Sequence, residues 1–279
     1  MRKVPYSTRR EALYHPEIGE SRFIPAPSEE LLCAESSRLI YKKCERLPEA
    51  RMEVEAAFRT IGFTEVEVFC NKSSQALAAW NGSERSSLVA FRGTEQNLAD
   101  FATDLKSWPA PWPRGGSVHA GFVEAFNDVW PEIEGWLSEH PGRLLMTGHS
   151  LGAALATLAA SLRNPDRLVT FGSPKVGDAD FCKTLSAVPV TRYMNCCDIV
   201  CRVPPGLVFE HVGALRYIDR SGSIHANASR ASIWRDGWMA RALYLLEYAW
   251  KPGNVLVRSL NDHAPLNYVY AMGSPAGGL

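Results

Sequence analysis

The hydrophobic positions of the chain follow a helical period first and a strand period afterwards. Ser28, followed by two glutamates, is typical of a helix start, and the leucines and isoleucine after it predict a helix that Pro48 ends. A second helix is predicted over 49–61, with Gly62 closing it. The chain thus begins its regular structure with two helices.

The period then changes to the alternation of a strand. Residues 63–69 read FTEVEVF, and 76–80 and 87–91 are also strand-like. Asn81-Gly82 is a strong hairpin signal between the last two segments. These three segments predict an antiparallel start to a sheet.

Helical and buried-strand patterns alternate in the middle of the chain. A helix is predicted over 121–140, in which Pro131 marks a kink or a restart. After it come predicted strands at 144–147, 167–171 and 190–195, with helices from Ala153 onward and over 178–185 between them. This alternation predicts an α/β protein with a mainly parallel sheet and helices on both faces, whose site lies beyond the carboxyl ends of the strands.

The final third is less regular. It is predicted to contain a strand at 215–219, an aromatic-rich helix at 236–250 and a short helix at 264–272. Residues 1–27 hold four prolines and mixed charge, which indicates an arm without regular structure, and 273–279 should fray. With neither an internal repeat nor a linker, we expect one domain over 1–279.

The charge balance narrows the classes of partner. Thirty basic and thirty acidic residues give a formal net charge of zero, which favours neutral substrates over nucleic acid or general attachment to anionic membranes. No hydrophobic run approaches the roughly 20 residues that span a bilayer, so we expect no transmembrane segment. No secretory signal is visible, which predicts a soluble, cytoplasmic protein by default, or a secreted one if a leader was removed or another export route is used.

The seven cysteines are odd in number and irregularly spaced, which predicts mostly reduced thiols. Cys196, Cys197 and Cys201 lack the spacing of metal ligands and are interpreted as small buried strand residues. We therefore expect neither a metal nor a cofactor.

The candidate chemistry centres on the turn Gly148-His149-Ser150-Leu151-Gly152. A G-x-S-x-G string alone is a weak signal, but here a hydrophobic strand precedes it and a helix follows, which is the setting of a nucleophile elbow. Ser150 is the candidate nucleophile, and the amide of Leu151 at the helix start is the candidate first donor to an oxyanion.

A nucleophilic serine needs a histidine base and an acid, and in hydrolases with this elbow the acid and then the histidine follow the serine along the chain. Three histidines follow it, and we select His263 because it lies in a loop that enters a helix at Pro265. His211 and His225 are interpreted as surface residues or substrate contacts.

For the acid we select Asp198, which follows the strand predicted at 190–195. Asp178 and Asp180 begin a helix and are interpreted as its N-terminal acids, while Asp219 falls in a strand-like run near a turn.

The second oxyanion donor should follow an earlier central strand, which selects Thr94 in the sequence Phe91-Arg92-Gly93-Thr94. The alternative is that Arg92 and Thr94 only cap the helix that follows.

Six motifs, in order from about residue 63 to residue 268, give the chain a resemblance to a known family. They are AFRGT (90–94), VHAGF (118–122), GHSLGAALA (148–156), FGSPKVGD (171–178), CDIVCRVPP (197–205) and DHAPLNY (262–268). Together they resemble the fungal-type class 3 lipases of the α/β-hydrolase fold. The resemblance implies Ser150 as nucleophile, Asp198 as acid, His263 as base, and Thr94 with Leu151 as the oxyanion hole.

The resemblance also implies a short helical lid after the oxyanion residue, here 95–110, that opens at a lipid surface. Four hydrophobic residues of this segment fall near one helical face: Leu98, Phe101, Leu105 and Trp108. A plain core helix would show the same stripe, so the lid and a transient contact with a lipid interface are one of two interpretations.

The chain differs from the secreted members in having no visible leader, no obvious cysteine pairing and a long segment, 221–256, before His263. The aromatic residues of that segment form a core, an acyl site or a second cover: Trp234, Trp238, Tyr244, Tyr248 and Trp250.

From the residues and the resemblance we predict a lipase or carboxylic ester hydrolase that cleaves acylglycerol esters through an acyl-enzyme. The alternatives are an esterase of phospholipase A1 or feruloyl type and, in another class, a non-catalytic binding protein with the same fold.

Overall fold

The structure is a computed structural model, and it describes residues 4–72, 74–93 and 108–273. Its strands, in chain order, are β1 Glu65–Asn71, β2 Ser74–Asn81, β3 Ser86–Phe91, β4 Pro109–Pro111, β5 Ser117–His119, β6 Arg143–His149, β7 Arg167–Phe171, β8 Val190–Asn195, β9 Ala214–Ile218 and β10 Ile224–His225. Eight of them form one sheet in the order β1-β2-β3-β6-β7-β8-β9-β10, and β4 pairs with β5. Strands β3, β6, β7, β8 and β9 are parallel, and antiparallel pairs flank them on both sides.

The helices of the described residues are α1 Arg10–Tyr14, α2 Glu29–Leu39, α3 Pro48–Arg59, α4 Ala120–Glu139, α5 Leu151–Arg163, α6 Ala179–Thr184, α7 Arg230–Glu247, α8 Arg258–Asn261 and α9 Pro265–Gly273. The predicted α/β-hydrolase architecture is confirmed, because a mostly parallel sheet carries helices on both faces.

Both faces of the sheet are buried, and successive strand residues alternate between two cores. On β3, Val89 and Phe91 pack with α4 and α5, whereas Leu88 and Ala90 pack with α2, α3 and α9. Because a strand with two buried faces has no polar face, its sequence is a continuous hydrophobic run. This accounts for the short unbroken runs of the central strands.

The start of the chain differs from the prediction in two places. The first predicted helix ends at Leu39, and Pro48 begins α3 instead of ending α2. Proline is favoured in the first turn of a helix because the N–H it lacks has no partner there. The predicted unstructured arm contains α1, because Ala12 and Leu13 are buried in the core.

Other predictions from the sequence are also wrong in detail. Helix α7 begins at Arg230 and not at residue 236, because the side chain of Ser229 accepts from the N–H of Ser232 and caps it. Strands β4, β5 and β10 are too short for an alternation to be seen. Helix α4 continues through Pro131, so this residue does not mark a restart.

The cysteines after β8 are buried as predicted, but they do not lie in a strand. Cys196 and Cys197 form the turn that follows β8, and Cys201 lies in a short 3-10 helix over Val200–Arg202. The turn interrupts the strand, since Cys196 has a φ of +37°. All seven cysteines are free thiols.

Across the residues that the structure describes, no helix is long and apolar enough to cross a membrane.

Candidate active site

Ser150 lies on the sharp turn between β6 and α5, with a φ of +60°. A Cβ on Gly148 would lie 2.2 Å from the carbonyl oxygen of Gly152, and a Cβ on Gly152 would lie 2.1 Å from that of Phe91. Only glycine fits at these two positions. A non-glycine residue at positive φ costs about 1–3 kcal/mol. The close packing on both sides of Ser150 holds it in this conformation despite that cost.

Asp198 and His263 form a buried pair. Nδ1 of His263 lies 2.9 Å from each carboxylate oxygen of Asp198. Because an ionised carboxylate only accepts, Nδ1 carries the proton and Nε2 is left free to accept one. Nε2 of His263 and Oγ of Ser150 are both buried without a hydrogen-bond partner in the described part of the chain.

The three residues meet beyond the carboxyl ends of neighbouring parallel strands. Ser150 directly follows β6, and Asp198 lies three residues after β8. The ring of His263 packs against that of His149, with 4.4 Å between their centroids. A Cβ on Gly172, just after β7, would lie 2.8 Å from Oδ2 of Asp198 and 2.9 Å from the His263 ring. The crowding keeps the pair directly over the end of β7.

The carboxylate of Asp198 has more donors than His263. The hydroxyl of Tyr268 donates to Oδ2 over 2.6 Å, and the N–H of Val200 donates to Oδ1 over 2.9 Å. Burial alone would raise the pKa of Asp198, but the nearby His263 ring and the hydrogen bonds outweigh it and lower the pKa. Asp198 is therefore ionised near neutral pH.

Tyr41 and His149 form a second buried chain of hydrogen bonds behind Ser150. The Tyr41 hydroxyl lies 3.0 Å from Nδ1 of His149, and Nε2 of His149 lies 2.8 Å from the carbonyl oxygen of His263. No local pattern indicates a role for Tyr41, because this residue follows α2 and contacts His149 across 108 positions.

The loop that carries His263 is also held by the N-terminal arm. The Tyr6 hydroxyl donates to Asp262, and the side-chain amides of Asn261 and Asn267 both donate to the carbonyl oxygen of Ser7. The arm thus supports both ends of this loop. Nothing in the sequence of the arm indicated this role.

The predicted oxyanion hole is described only in part. Leu151 is the first residue of α5, where helix N–H groups have no intrahelical acceptor. Thr94 lies outside the described residues, which end at Gly93 beside Ser150. The guanidinium of Arg92 donates to the side chain of Gln75. A helix-capping role is therefore not needed to explain the presence of Arg92.

Most of the predicted lid, including Leu98, Phe101 and Leu105, also lies outside the described residues. Trp108 is 73% exposed and directly precedes β4, so the end of the 95–110 segment is extended and not helical. The prediction that Trp108 lies on a helical face of this segment is therefore wrong.

The rejected candidates have structural partners. Asp178 caps α6 by accepting from the N–H of Phe181. His225 is exposed and is paired with Asp219. His211 is half-buried, with Nε2 2.9 Å from the carbonyl oxygen of Cys201, and burial lowers its pKa to about 3.

One group in the described residues has the geometry to hold a metal ion: Cys196, Cys197 and Asp262, whose ligand atoms lie within 4.8 Å of one another. The carboxylate of Asp262 already accepts from Tyr6, from the N–H of Cys197 and from Arg258. A guanidinium beside the thiols opposes a cation, so we assign no metal here.

A serine on a strand-turn-helix elbow, with a buried histidine-aspartate pair over the same edge of a parallel sheet, defines the α/β-hydrolase class. Residues 88–208 match the model of the family described as lipase (class 3). The match covers less than half of the 279 residues, and over that part the chain is similar to the class 3 lipases.

Among similar proteins is a lipase of Rhizomucor miehei, 31% identical over 159 residues, with 50% of this chain and 44% of that protein covered. A chloroplastic phospholipase A(1) of Arabidopsis thaliana is 31% identical over 158 residues, with 46% and 35% covered. A secreted mono- and diacylglycerol lipase of Fusarium solani is 36% identical over 155 residues, with 49% and 44% covered. The chain spans less than half the length of these relatives.

The solved structure of a Rhizomucor miehei triacylglyceride lipase has the same fold. It superposes with a TM-score of 0.58 at 22% sequence identity, with 85% of this chain and 94% of that chain covered.

Proposed function

We propose that this protein hydrolyses carboxylic esters of lipids, with acylglycerols as the substrate class, through Ser150, His263 and Asp198. The observation that carries the proposal is the buried His263–Asp198 pair beside a serine whose backbone is held at positive φ. The pair leaves Nε2 of His263 as the base, and the match of residues 88–208 to the class 3 lipase model supports an ester as substrate.

The reaction has two halves. Oγ of Ser150 attacks the ester carbonyl carbon while Nε2 of His263 takes its proton, and the carbonyl oxygen becomes an oxyanion bound by the N–H of Leu151 and by Thr94. When the carbon–oxygen bond to the alcohol breaks, His263 returns the proton to the leaving alcohol. Water then repeats the attack on the acyl-serine, and the fatty acid leaves.

Asp198 holds the proton of His263 on Nδ1 and stabilises the imidazolium that forms in each half. Its low pKa keeps it ionised for this purpose.

The test is hydrolysis of a soluble p-nitrophenyl ester by the protein and by Ser150→Ala. We expect kcat to fall by about 10⁴-fold or more, because the residual rate comes from binding and the oxyanion hole alone. Ser87→Ala is the control, since Ser87 is also buried but lies near the opposite end of β3. A fluorophosphonate probe should label the protein and not Ser150→Ala.

Retained hydrolysis in a folded Ser150→Ala protein would contradict the proposal. Absence of labelling and of turnover in the unmodified protein would favour a non-catalytic binding protein of the same fold.

The second candidate is a phospholipase of A1 type, because one relative is described as a phospholipase A(1) and the triad would be the same. Product analysis with a triacylglycerol and a phosphatidylcholine of identical acyl chains decides between these two candidates. Hydrolysis of a feruloyl ester tests the remaining alternative, an esterase of feruloyl type. The relative described as secreted supports export of this protein.

A further inference from the structure

Helix α7 presents large hydrophobic side chains to solvent along its outward face. They form two adjacent rows on the helix, Trp234, Trp238 and Leu245 in one and Met239, Leu243 and Leu246 in the other, and together with Trp250 in the turn after the helix we call them the α7 face. Leu246 is 77% exposed and the three tryptophans are 62–70% exposed. At 1.5 Å per residue the helical part of the face is about 18 Å long.

The opposite face of α7 is packed against the protein. Gly237, Ala240 and Tyr244 are buried, and the Tyr244 hydroxyl donates to the carbonyl oxygen of Val255. One side of the helix is therefore packed firmly against the protein. This packing fixes which side chains face solvent. Core packing, one of the three interpretations of the aromatic residues, is therefore wrong for all three tryptophans.

Basic side chains surround the α7 face. Arg230, Arg235, Arg241 and Lys251 form no ion pair with any described residue. Of the two acids on the helix, Asp236 is already paired with Arg220. The chain as a whole has a net charge of zero, so this local positive excess is not a property of the whole surface.

The buried face of α7 contacts both segments that carry the histidine-aspartate pair. The Cys197 thiol, next to Asp198, donates to the carbonyl oxygen of Gly237 over 3.3 Å. Arg258, at the start of α8, donates to that of Ala240 over 3.4 Å. A surface bound to the α7 face would thus lie one helix diameter, about 10 Å, from the loops of the site.

We propose that the α7 face adsorbs to an anionic lipid surface and holds the active site beside it, separately from any lid. Tryptophan and leucine at the boundary, with arginine and lysine beside them, are the composition of a helix that lies in the plane of a lipid interface. The adsorption itself does not require catalysis. Only its purpose, delivery of the lipid ester, rests on the proposed function.

A second copy of the chain fits this face less well. A two-fold dimer joins the same patch to itself, which would bring the four unpaired cations of one copy towards those of the other. An anionic lipid surface compensates those charges and also accepts the tryptophans.

The experiment measures the fraction of protein that co-sediments with vesicles of phosphatidylcholine, with and without added phosphatidylglycerol, at low and high salt. We expect partition to rise with phosphatidylglycerol and to fall with salt. Trp238→Ser combined with Leu246→Ser should lower partition by about tenfold or more, and Arg235→Glu combined with Lys251→Glu should remove the dependence on phosphatidylglycerol.

Two controls are matched by exposure. Met52 on α3 is 68% exposed, and Met52→Ser should partition as the unmodified protein does. Arg46, exposed before α3, provides Arg46→Glu as the charge control. Brominated lipids should quench the tryptophan fluorescence of the unmodified protein, and Trp234→Phe with Trp238→Phe should remove most of that quenching.

The proposal is overturned if the α7 variants partition like the unmodified protein, if the controls lose as much, or if partition ignores lipid charge. It is also overturned if sedimentation without lipid shows a dimer that the α7 variants dissociate, which would make a second copy the occupant. Ser150→Ala should partition normally, and the α7 variants should retain turnover of a soluble ester within about twofold, so a failure here is separate from a failure of the proposed function.

Discussion

The carbonyl oxygen of His263 accepts a hydrogen bond from Nε2 of His149, the residue directly before Ser150. Because a carbonyl oxygen only accepts, His149 carries its proton on Nε2, and Nδ1 accepts from the Tyr41 hydroxyl. Burial, and next the neighbouring His263, lowers the pKa of His149 well below its usual value. The residue beside the serine therefore stays neutral and fixes the main chain of the proposed base.

Tyr41→Phe tests this chain of hydrogen bonds. It leaves Nδ1 of His149 buried without a donor, which should lower the free energy of unfolding by about 1–3 kcal/mol. If His149 positions His263, kcat for a soluble ester should fall about tenfold with little change in KM, since the loss is in the transition state. Urea denaturation and steady-state kinetics measure the two effects.

The control for Tyr41 is Tyr193→Phe, because Tyr193 packs in the same core. A Tyr41→Phe protein that is less stable but has an unchanged kcat would leave Tyr41 a purely structural role.

Tyr268→Phe removes the donor to Oδ2 of Asp198 and leaves the N–H of Asn195 without its acceptor. A hydrogen bond to a charged group contributes about 1.5–3 kcal/mol, so we expect a loss of stability of that size. The pKa of Asp198 should rise, because this bond is one of the interactions that lower it. Equilibrium unfolding at pH 7 and pH 3 should show the larger loss at pH 7, because the bond favours the ionised carboxylate, and a larger loss at pH 3 would contradict this role.

His211 should make the protein less stable in mild acid. Its pKa is about 3 in the folded protein and 6.5 as a free group, so below pH 6.5 the unfolded chain binds a proton that the folded chain excludes. Between pH 7 and pH 5 this lowers the free energy of unfolding by about 2 kcal/mol. His211→Gln, which keeps a donor for Cys201, should reduce that slope, and an unchanged slope would contradict it.

Two glycine substitutions should have opposite signs. Gly152→Ala places a Cβ 2.1 Å from a backbone oxygen and should destabilise the fold by more than about 3 kcal/mol, with loss of activity. Gly237→Ala, inside α7, meets nothing closer than 3.5 Å and should stabilise the protein by about 0.5–1 kcal/mol. Thermal unfolding of both proteins checks the pair, and a stable Gly152→Ala protein would refute the packing argument at the serine turn.

Glu35 and Arg38 form a fully buried ion pair on α2, and Arg38 also donates to the carbonyl oxygens of Pro16, Ile18 and Glu20. Removal of one partner leaves a buried unpaired charge, so Glu35→Ala should cost about 3–5 kcal/mol. Arg38→Met combined with Glu35→Leu should cost less than Glu35→Ala alone if the pair is unfavourable to bury. A double-mutant cycle by urea denaturation decides this.

The parts of the molecule that follow from local patterns could be predicted from the sequence. The strand, turn and helix around Ser150 have a strong local signal, and the chain order of hydrolases selects Asp198 and His263, which the structure brings to one edge of the sheet. Their catalytic roles stay predictions. Asn81 does begin the turn between β2 and β3, where its side chain accepts from Ser83.

The parts that depend on contacts between distant segments could not be predicted. Tyr41 and Tyr268 reach His149 and Asp198 from 108 and 70 positions away, and nothing in their own neighbourhood distinguishes them from core tyrosines. The exposure of Trp238 was missed for the same reason, because helical spacing of aromatics does not tell which side faces the protein.

The bonds from Tyr6 and Ser7 to the loop of His263 span as many as 260 positions. Such a contact forms only after the later partner has left the ribosome, so a nascent polypeptide stalled before α9 would display Ser150 without a fixed base. In the proposed mechanism, hydrolysis can therefore begin only after translation has passed that point.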